Sequence, residues 1–292
     1  MFLFNCANHI IFSENFQMRR PLFLLLTLSA LLSFNSCKQK GSESKDHFNK
    51  ANEYLFKEDF TNAKKEYTAA IEADTTNWQA CYELAGVYEL EGDYRNALMY
   101  FTRTVQLNPK FSLGYYNKAN LEEIVGNDRE SMRDLKLSIA NKKDFFSAWL
   151  SKGRKDLGTG NMKQAIVDFD SAISLRNDFY LVYSMRGSCK YKLGDIPGAL
   201  SDFNTEVQLN PMHMMGYVNR AVAYGEQNNF RAALNDVNIA IQIDPLWSQG
   251  YIYKGLYEYK LNVKDSACWD FRMAYKLKNP QAESYMKQYC GQ

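Results

Sequence analysis

Between residues 44 and 281, small, large and polar positions recur every 34 residues. The prolines set the phase. Pro109 and Pro211 lie 102 residues apart, three periods, and Pro245 follows after 34 more. Each closes a similar phrase: Val105-Gln106-Leu107-Asn108-Pro109, Val207-Gln208-Leu209-Asn210-Pro211 and Ile241-Gln242-Ile243-Asp244-Pro245. In this frame seven units follow one another without a gap: 44–77, 78–111, 112–145, 146–179, 180–213, 214–247 and 248–281. The eighth position is always small (Ala51, Ala85, Ala119, Gly153, Gly187, Ala221, Gly255), and so is the twentieth (Ala63, Ala97, Ser131, Ala165, Ala199, Ala233, Ala267). The twenty-fourth is always large: Tyr67, Phe101, Leu135, Phe169, Phe203, Val237, Phe271. Small residues let two helices approach, and a large one fills the groove left between them. Turn signals such as Glu91-Gly92-Asp93-Tyr94 and Leu193-Gly194-Asp195-Ile196 fall between. Pro197 suits the first turn of a second helix, where its missing N–H costs nothing. The pattern predicts one antiparallel helix pair per unit, each burying against its neighbours what it cannot bury alone.

The period and the order of its small and large positions resemble the tetratricopeptide repeat, over residues 44–281 of 292. The resemblance implies an all-α fold, a right-handed α-solenoid of seven tandem helix–turn–helix repeats. Beyond the last repeat Asn279-Pro280 breaks the helix, and Ala282, Tyr285, Met286 and Tyr289 share a helical face. Residues 282–292 are therefore expected to form a capping helix.

Charge adds one structural expectation. Lys and Arg total 35 against 33 Asp and Glu, a net +2 that argues against a broad nucleic-acid footprint. The seventh position reads Lys50, Leu84, Lys118, Lys152, Arg186, Arg220, Lys254, and the twenty-third Glu66, Tyr100, Asp134, Asp168, Asp202, Asp236, Asp270. The columns switch from ionic to apolar together, in the repeat with Leu84 and Tyr100. Both are equidistant from the turn, so they face each other across the hairpin. Six intra-repeat ion pairs are expected in preference to a basic stripe for an acidic partner, each worth about 0–1 kcal/mol if exposed.

The start of the chain carries a different signal. Met18-Arg19-Arg20 precedes an uncharged, mostly apolar stretch from Leu22 to Phe34, too short for a bilayer span of about 20 residues. A basic start followed by a short apolar run reads as a secretory signal over residues 18–36, with 1–17 upstream of the true start at Met18. Ser36-Cys37, followed by the polar Lys38-Gln39-Lys40, resembles the lipobox of bacterial lipoproteins. That resemblance implies a lipidated Cys37 on a short tether, 37–43, and a lipid-anchored protein of the bacterial cell envelope. Lys38, in place of the acidic residue that retains some lipoproteins at the inner membrane, favours the outer one. An ordinary cleaved signal with an incidental cysteine is the competing reading.

Cys81 and Cys189 sit three repeats apart and read as small core residues. Cys268 and Cys290 lie symmetrically about residue 279, the turn before the capping helix, and should face each other. Export implies an oxidising compartment, so a disulfide is expected, with two free thiols as the alternative. No catalytic motif appears. His47 reads as preceding the first helix, His213 falls in an inter-repeat turn, and neither has an evident partner. No metal, cofactor or small-molecule substrate is expected, and the chain does not read as an enzyme.

Binding remains. In the tetratricopeptide family the first helices line a concave groove through positions two, five, nine and twelve. This implies an apolar row at position five, Phe48, Tyr82, Tyr116, Leu150, Val218 and Ile252, flanked by Asn52, Arg154 and Tyr259. Asn49, Asn52, Asn117, Asn120 and Asn219 match family asparagine positions able to bond a peptide backbone. The basic cluster with which some relatives grip a terminal carboxylate is absent. The expected role is a membrane-anchored scaffold that holds a protein or peptide segment. Similar repeat lipoproteins act in outer-membrane protein assembly, secretin assembly and hydrolase recruitment. A glycan or peptidoglycan receptor is the second reading and an enzyme the third.

Overall fold

A computed structural model of the chain describes residues 41–291. The expected upstream segment 1–17, the signal 18–36 and Cys37 lie outside the described residues. All regular elements among the described residues are helices, and they fall into two compact units, up to Asn141 and from Lys142. The first unit holds α1 (residues 41–56), α2 (Phe60–Ala73), α3 (Trp78–Leu90), α4 (Tyr94–Leu107), α5 (Ser112–Ile124) and α6 (Asp128–Asn141). The second holds α7 (Phe146–Gly158), α8 (Met162–Leu175), α9 (Tyr180–Lys192), α10 (Ile196–Leu209), α11 (Met214–Glu226), α12 (Phe230–Ile243), α13 (Ser248–Lys260), α14 (Lys264–Lys276) and α15 (Ala282–Cys290). None of these helices is long and apolar enough to cross a membrane.

Each repeat is a helix hairpin, and within each unit successive hairpins stack. The hairpin is tight because its eighth position has no bulk. A Cβ added at Gly153 would lie 2.6 Å from the ring of Phe169, and one at Gly187 2.7 Å from the ring of Phe203. Tyr67, Phe101, Phe169, Phe203 and Phe271 are in turn almost wholly buried. The turn has a fixed conformation: residue fifteen of every repeat has positive φ. Gly92, Gly126, Gly160 and Gly194 supply it without strain, whereas Glu58, Asn228 and Asn262 adopt it with a side chain. The second helices α2, α4, α10 and α12 are capped by Asp59, Asp93, Asp195 and Asn229, each accepting from a backbone N–H three residues on. Five first helices instead follow an aromatic or histidine residue with no side-chain cap: Phe111, Phe145, Phe179, His213 and Trp247.

Two expectations about the ends change. The chain is already helical at residue 41, so the expected tether 37–43 loses its last three residues to α1. His47 consequently lies within that helix rather than before it.

Candidate functional site

The first helices of unit one present the most open arrangement of the expected binding residues. Phe48, Tyr82 and Tyr116 are all half-buried. The Phe48 ring lies 5.8 Å from Tyr67, and the Tyr82 ring 5.7 Å from Phe101 and edge-on to Phe111 at 5.0 Å. The inner face of each ring thus belongs to the hairpin core, and its outer edge is left to solvent. The asparagines are tied to the same rings. Asn117 donates to the Tyr82 hydroxyl at 2.8 Å, and Asn52 accepts from the Tyr67 hydroxyl at 2.6 Å. Asn120, one turn beyond Tyr116 on α5, is half-buried. Two carboxyls stand on α3 beside them: burial pushes Glu83 and Glu89 above the usual carboxylate range. Burial likewise pushes the Tyr82 phenol up. Hydroxyl, amide and carboxylate oxygens give this face a surplus of acceptors.

In unit two the same columns behave differently, and part of the expected site is corrected. Val218 is 6% and Ile252 0% exposed, so both are core side chains with nothing to offer a ligand. A β-branched side chain is too short to reach past the hairpin floor, as the aromatic rings of unit one do. Leu150 is half-buried against the Phe169 cluster, Asn219 is half-buried and Arg154 is exposed. The Tyr259 ring packs at a tilt against Tyr289 of α15, 4.6 Å between centroids, and belongs to the terminal cap.

The two charged columns meet across every hairpin that carries them. Lys50–Glu66 and Lys152–Asp168 are 2.6 Å apart, Arg186–Asp202 2.5 Å, Arg220–Asp236 2.7 Å and Lys254–Asp270 3.1 Å, and Lys118 bonds Asp134. In the remaining repeat Leu84 is fully buried and Tyr100 stacks on Tyr88. The acids of these pairs lie deep in the hairpins. Asp168, Asp202, Asp236 and Asp270 are at most 2% exposed. Lysine and arginine solve the burial differently. Lys118, Lys152 and Lys254 each serve a second acid one turn on, Glu122, Asp156 and Glu258. Arg186 and Arg220 use their forked head to reach back to the preceding repeat, to Asp170 and Asn204.

The last of these clusters has two carboxyls for one ammonium. Burial and the hydrogen bond that the protonated Asp270 donates to Glu258 raise Asp270 to about 7, against the pull of Lys254. A folded value above the unfolded one favours the protonated fold. Its stabilising contribution is complete below pH about 4 and declines as pH rises to about 7. The stability difference between wild type and Asp270→Asn is expected to change by roughly 2–4 kcal/mol between pH 4 and 7, with wild type losing ground as pH rises. Parallel denaturation curves across that range would contradict it.

His47 and His213 have partners that the sequence reading missed. The His47 Nδ1 lies 2.6 Å from Glu66, beside Lys50, and these two hydrogen bonds hold the Glu66 carboxyl below its usual range. The His213 Nδ1 lies 2.7 Å from Glu206. Glu206 is fully buried at a column otherwise filled by Ala70, Thr104, Ser138, Ala172, Ala240 and Ala274. Ser184, the one small residue at position five, leaves it room and bonds it. Burial pushes the Glu206 carboxyl up. These three exceptions to the repeat pattern, all in one repeat, were a readable signal. Cys81 and Cys189 are buried and free, and Cys268 and Cys290 are joined in a disulfide. Among the described residues no group of acidic, histidine and cysteine side chains could hold a metal ion.

A tetratricopeptide-repeat family model matches residues 48–110. No curated protein matches the chain. Among solved structures, part of a repeat protein from Cytophaga hutchinsonii is 16% identical, with TM-score 0.68 over 81% of this chain and 98% of that one. A tetratricopeptide-repeat protein from Parabacteroides merdae is 17% identical, with TM-score 0.57 over 85% and 98%. YrrB, described as having an unusual peptide-binding site, is 20% identical, with TM-score 0.57 over 61% and 92%. Residues 48–110 thus match the tetratricopeptide repeat, and the hairpin that recurs from residue 44 to residue 281 shares the fold of these solved repeat structures.

Proposed function

We infer that this protein is an interaction scaffold, and that the first helices of unit one hold an extended peptide segment of a partner protein. The observation that carries this is the row of half-buried rings Phe48, Tyr82 and Tyr116 set among Asn52, Asn117 and Asn120. Apolar edges supply contact area, and the amides suit the backbone of an extended chain. The acceptor surplus, with Glu83 and Glu89 on the same helix as Tyr82, favours a segment bearing Lys or Arg over one ending in a carboxylate. Through an acylated Cys37 the scaffold stands close to a membrane of the bacterial envelope, because so few residues separate that cysteine from α1. Proximity then makes it an adaptor for other envelope proteins.

The test is an array of short random peptides probed with the purified full chain. Selected sequences are expected to be rich in aromatic and basic residues, and Asn117→Ala with Glu83→Gln to lower their binding about tenfold, 1.4 kcal/mol, without altering thermal unfolding. Selection of peptides through a free carboxylate terminus would sink the reading. For the anchor, Cys37→Ser should move the protein from the membrane fraction to the soluble fraction.

A further inference from the structure

One corner of unit two is chemically unlike the others. The residue ahead of α7, α9 and α13 is Phe145, Phe179 or Trp247, and ahead of α11 it is His213. Methionine stands on both sides of that histidine, as Met212-His213-Met214-Met215. Three of the chain's eleven methionines thus fall within four residues, which is not a scatter of gap-fillers. Met214 packs beside Val207 and Tyr217 in the core. Met212 and Met215 are 73% and 43% exposed, so their thioethers are open to solvent.

The histidine between them is held from behind. Its Nδ1 lies 2.7 Å from Glu206, which is wholly buried, whereas the His213 side chain is 26% exposed. A carboxylate only accepts, so Nδ1 carries the proton and Nε2 keeps its lone pair on the far side of the ring. The Tyr180 ring, 4.9 Å away and tilted, packs against the imidazole and restrains its plane. Room for the acid is made by Ser184 and again by Gly216, where an added Cβ would lie 3.0 Å from the Glu206 carboxyl carbon. A buried acid that orients one imidazole from behind is the support that metal-binding histidines use. It also sets negative charge beside the positive end of α11, which would otherwise repel a cation. The ligand types choose the ion. Thioethers beside imidazole favour the soft monovalent Cu(I) over calcium or magnesium, which take oxygens, and over zinc, which takes thiolates, imidazoles and carboxylates. Cu(I) accepts low coordination, so it does not require the cluster of acids, histidines and cysteines that is absent among the described residues. Thioethers form no disulfides, and they remain ligands in a compartment where Cys268–Cys290 persists.

We propose that this corner of unit two is a binding site for Cu(I), with His213 Nε2 and the thioethers of Met212 and Met215 as ligands and Glu206 as the positioning residue. Silver(I) is the probe, since it shares the preference for thioether and imidazole and needs no reductant. It is titrated into the purified full chain carrying isotope-labelled methionine methyls, which are followed by NMR. Cysteine thiols bind silver too, but the methyl signals report thioethers alone. The Met212 and Met215 methyls are expected to shift together, while Met99, also exposed but with no histidine beside it in the chain, stays in place. Met212→Leu, read at Met215, should weaken binding about tenfold and leave thermal unfolding unchanged, because the side chain is exposed. Glu206→Gln, read at both methyls, should weaken it by about tenfold or more. Glu206→Ala with His213→Phe copies the Ala172 and Phe179 of the preceding repeat, strands no charge, and should remain folded while losing the shift. The proposal is overturned if the two methyls do not move, if Met99 moves with them, if zinc(II) moves them equally, or if the folded double variant keeps the shift.

Discussion

Arg220→Leu is expected to lower stability by about 3 kcal/mol, the lower part of the range for stranding a buried charge, since the arginine side chain keeps some contact with water. The substitution removes both hydrogen bonds to Asp236, whose carboxylate is 1% exposed, and leaves Asn204 without its donor. Most of the cost is an uncompensated carboxylate rather than a lost attraction. The double variant Arg220→Leu with Asp236→Tyr should therefore recover most of the loss. It copies the arrangement that repeat two already uses, with Leu84 buried and Tyr100 stacked on Tyr88. Denaturant unfolding of wild type, single and double variants measures this. A double variant as unstable as the single would show that the buried charge is not the cause.

The second large effect belongs to the terminal cap. Cys268 on α14 and Cys290 at the end of α15 are bonded across a sequence separation of 22. Closing a loop of that size constrains the unfolded chain by roughly 3 kcal/mol. α15 is short, and Ala282 is its one buried residue. It is otherwise held by the stack of Tyr285 and Tyr289 on Phe271. Cys268→Ser is expected to lower stability by about that amount and to release α15 first. Hydrogen exchange should show its amides losing protection before those of α9 or α10. Unchanged protection in α15 would mean that ring stacking alone holds the cap.

The hairpin period is legible in the sequence because it rests on volume. Ala, Gly and Ser at the eighth and twentieth positions, opposite a large twenty-fourth, permit one separation of the two helices, and that separation fixes where each helix must begin. The facing of Lys and Arg with Asp and Glu follows from distance to the turn alone. Depth does not. Nothing in the column of aspartates distinguishes an exposed pair from one with its carboxylate sealed, because that depends on how far the neighbouring hairpin covers it. The same limit applies to position five. Phe48 and Val218 occupy one column, yet the ring reaches the surface and the valine does not. The Ser184–Glu206–His213 cluster was visible as a departure from its columns.

The arginines that clasp two repeats leave a mark on how such a chain can grow or shrink. Excision of residues 180–213 would set Arg220 opposite Asp170, an aspartate of the kind that Arg186 holds now. Excision of 214–247 would set Lys254 opposite Asn204, where a single ammonium replaces the fork that reaches this amide from Arg220. Duplication or deletion in the gene thus meets unequal resistance along unit two: the first seam heals, and the second does not.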